Sequence, residues 1–267
     1  MILIALLIIL VVYVFLLDTA NVFSKKTYNN PQISRPDVIV QTYHTKEKIP
    51  QKVYDNIKKY APGYEHRIYN DSECNAFILE HFGTRVADKF NDLKVKAHKA
   101  DLFRYCYLYQ NGGVYMDIKT ELIKPIDEIF GKDKLYSVFS VCTGTIYNGI
   151  VSSGPKNELF LELINHMVET PDTGKLDYLY ICRHFYTSLS SYCDHKLKLG
   201  ENDNNVYLYE EVVKAFNLFT LHGYNDKNVK YQYVEKCHDG LDRYGICSYV
   251  YDKGVPIIKT RYSDYPW

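Results

Sequence analysis

Two charged residues stand inside an otherwise apolar helical run. From Leu102 to Tyr109 every residue but Arg104 is apolar or aromatic, and Asp101 lies three residues before that arginine. Residues three apart share one helix face. A carboxylate and a guanidinium in such a helix are costly unless they pair with each other or face a ligand. Both readings are open at this point. Further along, Tyr115, Asp117, Lys119 and Glu121 alternate with Val114, Met116 and Ile118. A strand sends alternate side chains to opposite faces, so three charges and a tyrosine share a face here. Such a face lines a polar cavity, or it is a solvated edge.

The elements that would position these residues can be read locally. Residues 95–110 form the clearest helix, and Asn111-Gly112-Gly113 ends it with residues that adopt left-handed conformations. So abrupt a turn makes the helix and the following strand, Val114 to Glu121, neighbours. Upstream, residues 37–43 predict a buried strand, and Pro50 can start a helix in which Val53, Ile57 and Ala61 recur at helical spacing. A second strand fits His66 to Tyr69, with Asp71 or Ser72 capping a helix through Phe82. This alternation predicts an α/β fold with a parallel sheet, whose ligands bind beyond the carboxyl ends of the strands, where Gln41, Thr42 and Tyr43 lie. The sequon Asn70-Asp-Ser72 falls in the tight link between strand and helix, where an attached glycan is disfavoured.

Lys plus Arg number 32, as do Asp plus Glu, so no net field draws nucleic acid toward this 267-residue chain. The 27 tyrosines suit stacking on sugars or bases, or reflect only the base composition of the gene. Seven cysteines lack zinc-site spacing; Cys237 and Cys247 can bridge in an oxidising compartment. Ile2 to Leu17 is an unbroken apolar and aromatic run of about 24 Å as a helix, which Thr19 to Phe23 extends toward a full span. No basic residue precedes it and no clear cleavage site follows, so we read an uncleaved single-pass membrane anchor over residues 1–23. Residues 24–36 then form a polar stem and residues 37–267 the folded domain. Lys25 and Lys26 favour a cytosolic stem by the positive-inside tendency, against a Golgi- or ER-type arrangement with the domain in the lumen.

The block Ala100-Asp-x-x-Arg104, Leu108, Gly112-Gly113-x-Tyr115-x-Asp117 resembles the DXD region of the family 32 glycosyltransferases. Val40-Gln-Thr-Tyr43 is similar to that family's first-strand His-Gln-Thr-Trp. Pro50, Tyr69-Asn-Asp71 and Asn148-Gly149 follow in family order. The resemblance implies a GT-A type nucleotide-sugar-binding domain with a central, mostly parallel sheet. It also implies retaining transfer of a hexose from a nucleotide-sugar donor to a glycan or lipid acceptor, aided by Mn²⁺ or Mg²⁺. Carried over, Gln41, Thr42 and Tyr43 hold the nucleoside, and Asp101 and Arg104 contact donor hydroxyls and the diphosphate side. Tyr115, Asn148 and Gly149 line the donor site, and Asp117 is the first DXD carboxylate.

Lys119 breaks the pattern, because it stands at the second acidic position and an ammonium cannot ligate a hard cation. Three arrangements stay open. Glu121 and Asp264 complete a metal site with Asp117; or Lys119 itself neutralises the leaving diphosphate; or the protein binds sugars without turning them over. The terminal stretch Thr260 to Trp267 is a lid over the donor or a frayed tail.

Overall fold

The computed structural model describes Tyr28 and residues 34–171, 177–215, 231–233 and 246–267. The expected anchor, most of the stem, Cys237 and the side chain of Cys247 lie outside the described residues. Among those described, no helix is long and apolar enough to cross a membrane.

The first half alternates as expected: β1 (Val38–Thr42), α1 (Gln51–Tyr60), β2 (Glu65–Tyr69), α2 (Asp71–Phe82), α3 (Thr84–Asp92), α4 (Lys96–Asn111) and β3 (Gly113–Met116). Then come β4 (Glu121–Leu122), α5 (Ile126–Ile129), β5 (Leu135–Phe139), β6 (Ile150–Ser153), α6 (Glu158–Glu169) and α7 (Tyr180–Tyr192). The last strands are β7 (Gly200–Asn202), β8 (Val206–Ala215), β9 (Tyr231–Tyr233), β10 (Ile246–Asp252) and β11 (Val255–Lys259). They join one sheet in the order β2-β1-β3-β6-β5-β8-β10-β11-β4, with β7 and β9 also on β8.

The sheet is mixed rather than mostly parallel. β1 runs parallel to β2 and β3, and β5 to β8. But β6 is antiparallel to both β3 and β5, and β10 is antiparallel to β8 and β11. The connections explain the difference. Parallel neighbours need a long crossover, whereas short links return the chain antiparallel. Residues 140–149 join β5 to β6 with no helix between them, and Lys253-Gly254 joins β10 to β11 with φ of 48° and 81°. Two successive positive φ values give the turn that suits a two-residue hairpin.

Each sheet face carries a core. On one, Val40, Tyr115 and Val151 pack with Leu102, Phe103, Tyr105 and Cys106 of α4 and with Phe160 and Phe185. On the other, Ile39, Val114, Met116 and Ile150 pack with Ile57, Ile126 and Phe130. The alternation in β3 is therefore real, but both faces are covered. Two expectations at helix starts and in the stem also change. Asn70, not Asp71 or Ser72, caps α2: its side chain accepts from Glu73 N at 3.0 Å, and Glu73 returns a bond to Asn70 N. That commits the sequon's own amide to the helix start. Tyr28 and Arg35, read as stem, pack on the domain. The Arg35 guanidinium is buried against the carbonyls of Phe130 and Gly131.

The single strand expected from Val114 to Glu121 is two. β3 stops at Met116, the chain turns with Thr120 N donating to Asp117 O at 2.8 Å, and β4 pairs with β11 at the far edge of the sheet. The turn is held from outside. Asp117 N donates to Gly149 O at 2.8 Å, and the buried Gln41 amide donates to Asp117 O at 3.3 Å.

Candidate active site

Because β1 and β3 are parallel neighbours, their carboxyl ends meet at one edge of the sheet. Thr42 and Tyr43 leave β1 there, and Asp117 to Lys119 leave β3. The first turns of α4 face them, and between lies a cavity of about 410 Å³. Its walls include Thr42, Tyr43, Arg104, Asp117 and Lys119. Gly112 and Gly113 make the approach of α4 and β3 possible. Their φ values are 68° and 117°, and a Cβ on Gly113 would stand 2.9 Å from the Val38 carbonyl of β1.

Arg104 organises the wall. Its guanidinium lies 3.2 Å from Asp101 Oδ1 and 3.3 Å from Asp117 Oδ1, and it donates to the Tyr115 hydroxyl at 3.2 Å and to the Asn148 carbonyl. With Arg104 and Asp101 both buried, each charge would be prohibitive without the other. Tyr115 is fully buried beneath, its hydroxyl within reach of Thr42 at 3.1 Å and donating to Asp117 at 3.3 Å. Asp117 Oδ2 faces Lys119 Nζ at 3.5 Å and the Tyr147 hydroxyl at 3.5 Å. Burial works against the Asp117 charge, but Lys119 and Arg104 outweigh it and hold this carboxyl below the usual range. For Asp101 burial prevails over Arg104, and its carboxyl is raised.

The structure thus brings together Thr42, Tyr43, Asp101, Arg104, Tyr115, Asp117, Lys119, Asn148 and Gly149. It gives some of them other surroundings than expected. Gln41 is fully buried and holds the Asp117 main chain instead of facing the cavity. Its Oε1 accepts from His66 Nε2 at 2.7 Å, which fixes which end of the amide meets Asp117. Burial lowers the His66 pKa to about 4, so its ring is neutral. Asn148 is buried too, its Oδ1 taken by the Tyr105 hydroxyl at 2.9 Å. Gly149 is a close-approach position: a Cβ there would sit 2.7 Å from Asp117 Oδ2 and strike the Tyr147 ring.

The sequence reading missed His66, Tyr147, Lys96 and Lys99. The lysines belong to the first turn of α4 and line the cavity, a position legible from the helix start itself. Tyr147 precedes the quoted Asn148-Gly149 by one residue, but nothing local shows that it reaches Asp117. The C-terminal stretch does come to the cavity. Tyr265 and Trp267 line it beside Tyr43, whose hydroxyl donates to Trp267 O at 2.8 Å.

The expected metal ligands do not assemble. Glu121, carried by β4 to the far edge, pairs with Lys259 at 3.5 Å. Asp264 is exposed and paired with Lys52. Among the described residues, no three His, Cys, Asp or Glu side chains are placed to hold a metal ion. Asp117 is left as a single carboxylate with a cation on each oxygen, a donor set that does not fit a hard divalent ion.

Residues 48–136 match the family model described as a glycosyltransferase sugar-binding region containing the DXD motif. An uncharacterized glycosyltransferase of Acanthamoeba polyphaga mimivirus is 23% identical over 204 residues, 73% of this chain and 77% of that protein. Mannosyl phosphorylinositol ceramide synthase CSH1 of Saccharomyces cerevisiae is 26% identical over 62% of this chain and 44% of its own length. The initiation-specific alpha-1,6-mannosyltransferase of Candida albicans is 38% identical over 69 residues, 25% of this chain and 18% of that one. This chain therefore spans about three quarters of the viral relative but less than half of these fungal ones. Among solved structures, the PaToxG glycosyltransferase aligns at a TM-score of 0.48 and 16% identity, over 61% of this chain and 72% of its own. The chain is a transferase whose residues 48–136 match a glycosyltransferase sugar-binding region.

Proposed function

We propose that this protein moves a hexose, mannose by analogy with its fungal relatives, from a nucleotide sugar to a hydroxyl of a glycan or lipid acceptor. The fold is then of GT-A type and the anomeric configuration is retained. The observation that carries the reading is the Asp101–Arg104–Asp117 network, fixed in the wall of a cavity at the carboxyl ends of β1 and β3. Ligands of α/β sheets bind at such edges. Thr42 and Tyr43 hold the nucleoside, and Tyr265 and Trp267 close over it. Asp117, ionised and fixed by Arg104, Tyr115 and Lys119, accepts hydrogen bonds from donor hydroxyls. In the transfer, the bond from the sugar C1 to the diphosphate oxygen breaks, and its electron pair leaves on the diphosphate. The acceptor oxygen bonds C1, and its proton passes to the departing phosphate. Fixed positive charge at the wall stabilises the leaving group as that charge develops.

The apolar run before residue 18 anchors the domain to a membrane, in this reading on the lumenal side. Asp117→Asn tests the function. It keeps the side chain's shape, and it should cut release of GDP or UDP from sugar nucleotides at least about a hundredfold while the domain still unfolds in one cooperative transition. One observation favours a second reading, a sugar-nucleotide-binding protein without turnover: Lys119 in place of an acidic residue. Binding of GDP-mannose or a UDP-hexose with no product from any acceptor would establish it.

A further inference from the structure

We propose that the cation facing the donor diphosphate is the Lys119 ammonium, so that donor binding and transfer need no divalent metal. The inference rests on the transferase reading above. Lys119 occupies the position from which a second DXD carboxylate would reach a metal, and the structure gives it a defined place. Its Nζ lies 3.5 Å from Asp117 Oδ2 and 5.9 Å from the centre of the Tyr147 ring. Those two contacts aim an ammonium that is still 31% exposed and lines the cavity. An ammonium has three donors, and one carboxylate oxygen leaves capacity for phosphate oxygens.

Asp117 shows the complementary half. Arg104 holds one of its oxygens and Lys119 the other, so a divalent ion would have to displace a buried guanidinium or an ammonium to be bound. Glu121 and Asp264, the carboxylates that could have joined Asp117, are matched to Lys259 and Lys52. The charge of the cavity points the same way. Its wall carries Lys96, Lys99, Arg104 and Lys119 against Asp71 and Asp117. Asp101 lies behind the wall, and the side-chain surplus stays positive when it is counted. A nucleoside diphosphate sugar brings two phosphate charges, and fixed lysines can neutralise them as point charges. During transfer the diphosphate takes the electron pair of the broken C1–O bond. Lys119 stabilises the added charge without forming or breaking a bond of its own.

Calorimetric titration of the purified full chain with GDP and with UDP, in EDTA and in Mn²⁺, tests this directly and needs no variant. The better-bound nucleotide should have a Kd in EDTA within about twofold of its value in Mn²⁺, and sugar-nucleotide turnover should survive EDTA equally. Lys119→Ala should weaken that binding about tenfold or more in both buffers. Lys119→Asp, which restores a pair of carboxylates, should bind the nucleotide only when Mn²⁺ is present. Wild-type binding that appears only with Mn²⁺ overturns the proposal and leaves the transferase reading standing. If neither GDP nor UDP binds in either buffer, both fall.

Discussion

Two sets of ion pairs in this molecule each set a basic side chain against aspartate and have little else in common. At the cavity, Arg104 joins Asp101 and Asp117 with side chains at most 22% exposed. At the C-terminal stretch, Lys52 and Asp264 meet with side chains 37% and 60% exposed. The first set is held by helix, strand and buried hydroxyls, and its charges cannot part without being stranded. The second is screened by water and worth little. In the sequence Asp101, Arg104, Asp117 and Asp264 all appeared as candidate residues of one site. Burial separates them: the Arg104 set is fixed in place, whereas the Lys52–Asp264 pair lies in solvent away from the cavity wall.

Removing the shared cation should break the comparison most severely. Arg104→Met leaves Asp101 without its cation in the interior and Asp117 with Lys119 alone, and should cost about 3–5 kcal/mol, read as a lower urea midpoint, with transfer abolished. Arg104→Lys keeps the charge but loses the fork that spans two carboxylates, and should also fail to restore activity. Next in size, Gly149→Ala places a methyl against Asp117 and Tyr147. About 1–3 kcal/mol of destabilisation is expected, with a loss of activity larger than stability alone explains.

His66 extends the comparison to pH. Its folded pKa of about 4 lies below the unfolded value near 6.5, so the unfolded chain takes up the proton first. Its contribution is complete above about pH 6.5 and is lost as pH falls toward 4. Between pH 7 and 5 unfolding should become easier by about 2 kcal/mol, and His66→Gln should flatten that slope. The smallest effect belongs to the exposed pair. Asp264→Asn should change stability by less than about 1 kcal/mol and leave activity within about threefold. A hundredfold loss there would return Asp264 to the site and undo the contrast.

What could be read in advance follows the range of the forces involved. The α4 helix, its glycine stop and the shared face of Asp101 and Arg104 come from spacings of three or four residues, and all are present as expected. β1, α1 and β2 announce themselves by β-branched runs and helical periodicity. The end of β3 does not. Alternation continues through Glu121, but the chain turns at Asp117 because Gly149 and Gln41, distant in sequence, claim its backbone groups. Glu121 was lost as a ligand for that reason. Strand direction was equally hidden, since it depends on the 140–149 link returning without a helix. The Lys253-Gly254 hairpin was written in two residues, yet that region was read only for a Cys237–Cys247 bridge and the terminal stretch.

The bond from His66 through Gln41 to the Asp117 main chain also makes a built-in reporter. His66 is set behind Gln41, on the second strand, and takes no part in the proposed chemistry. Its ring proton nonetheless ends a relay whose other end is the turn that carries Asp117 and Lys119. When a ligand shifts that turn, the imidazole resonance should move with it, so nuclear magnetic resonance can follow occupancy of the cavity through an atom no ligand touches.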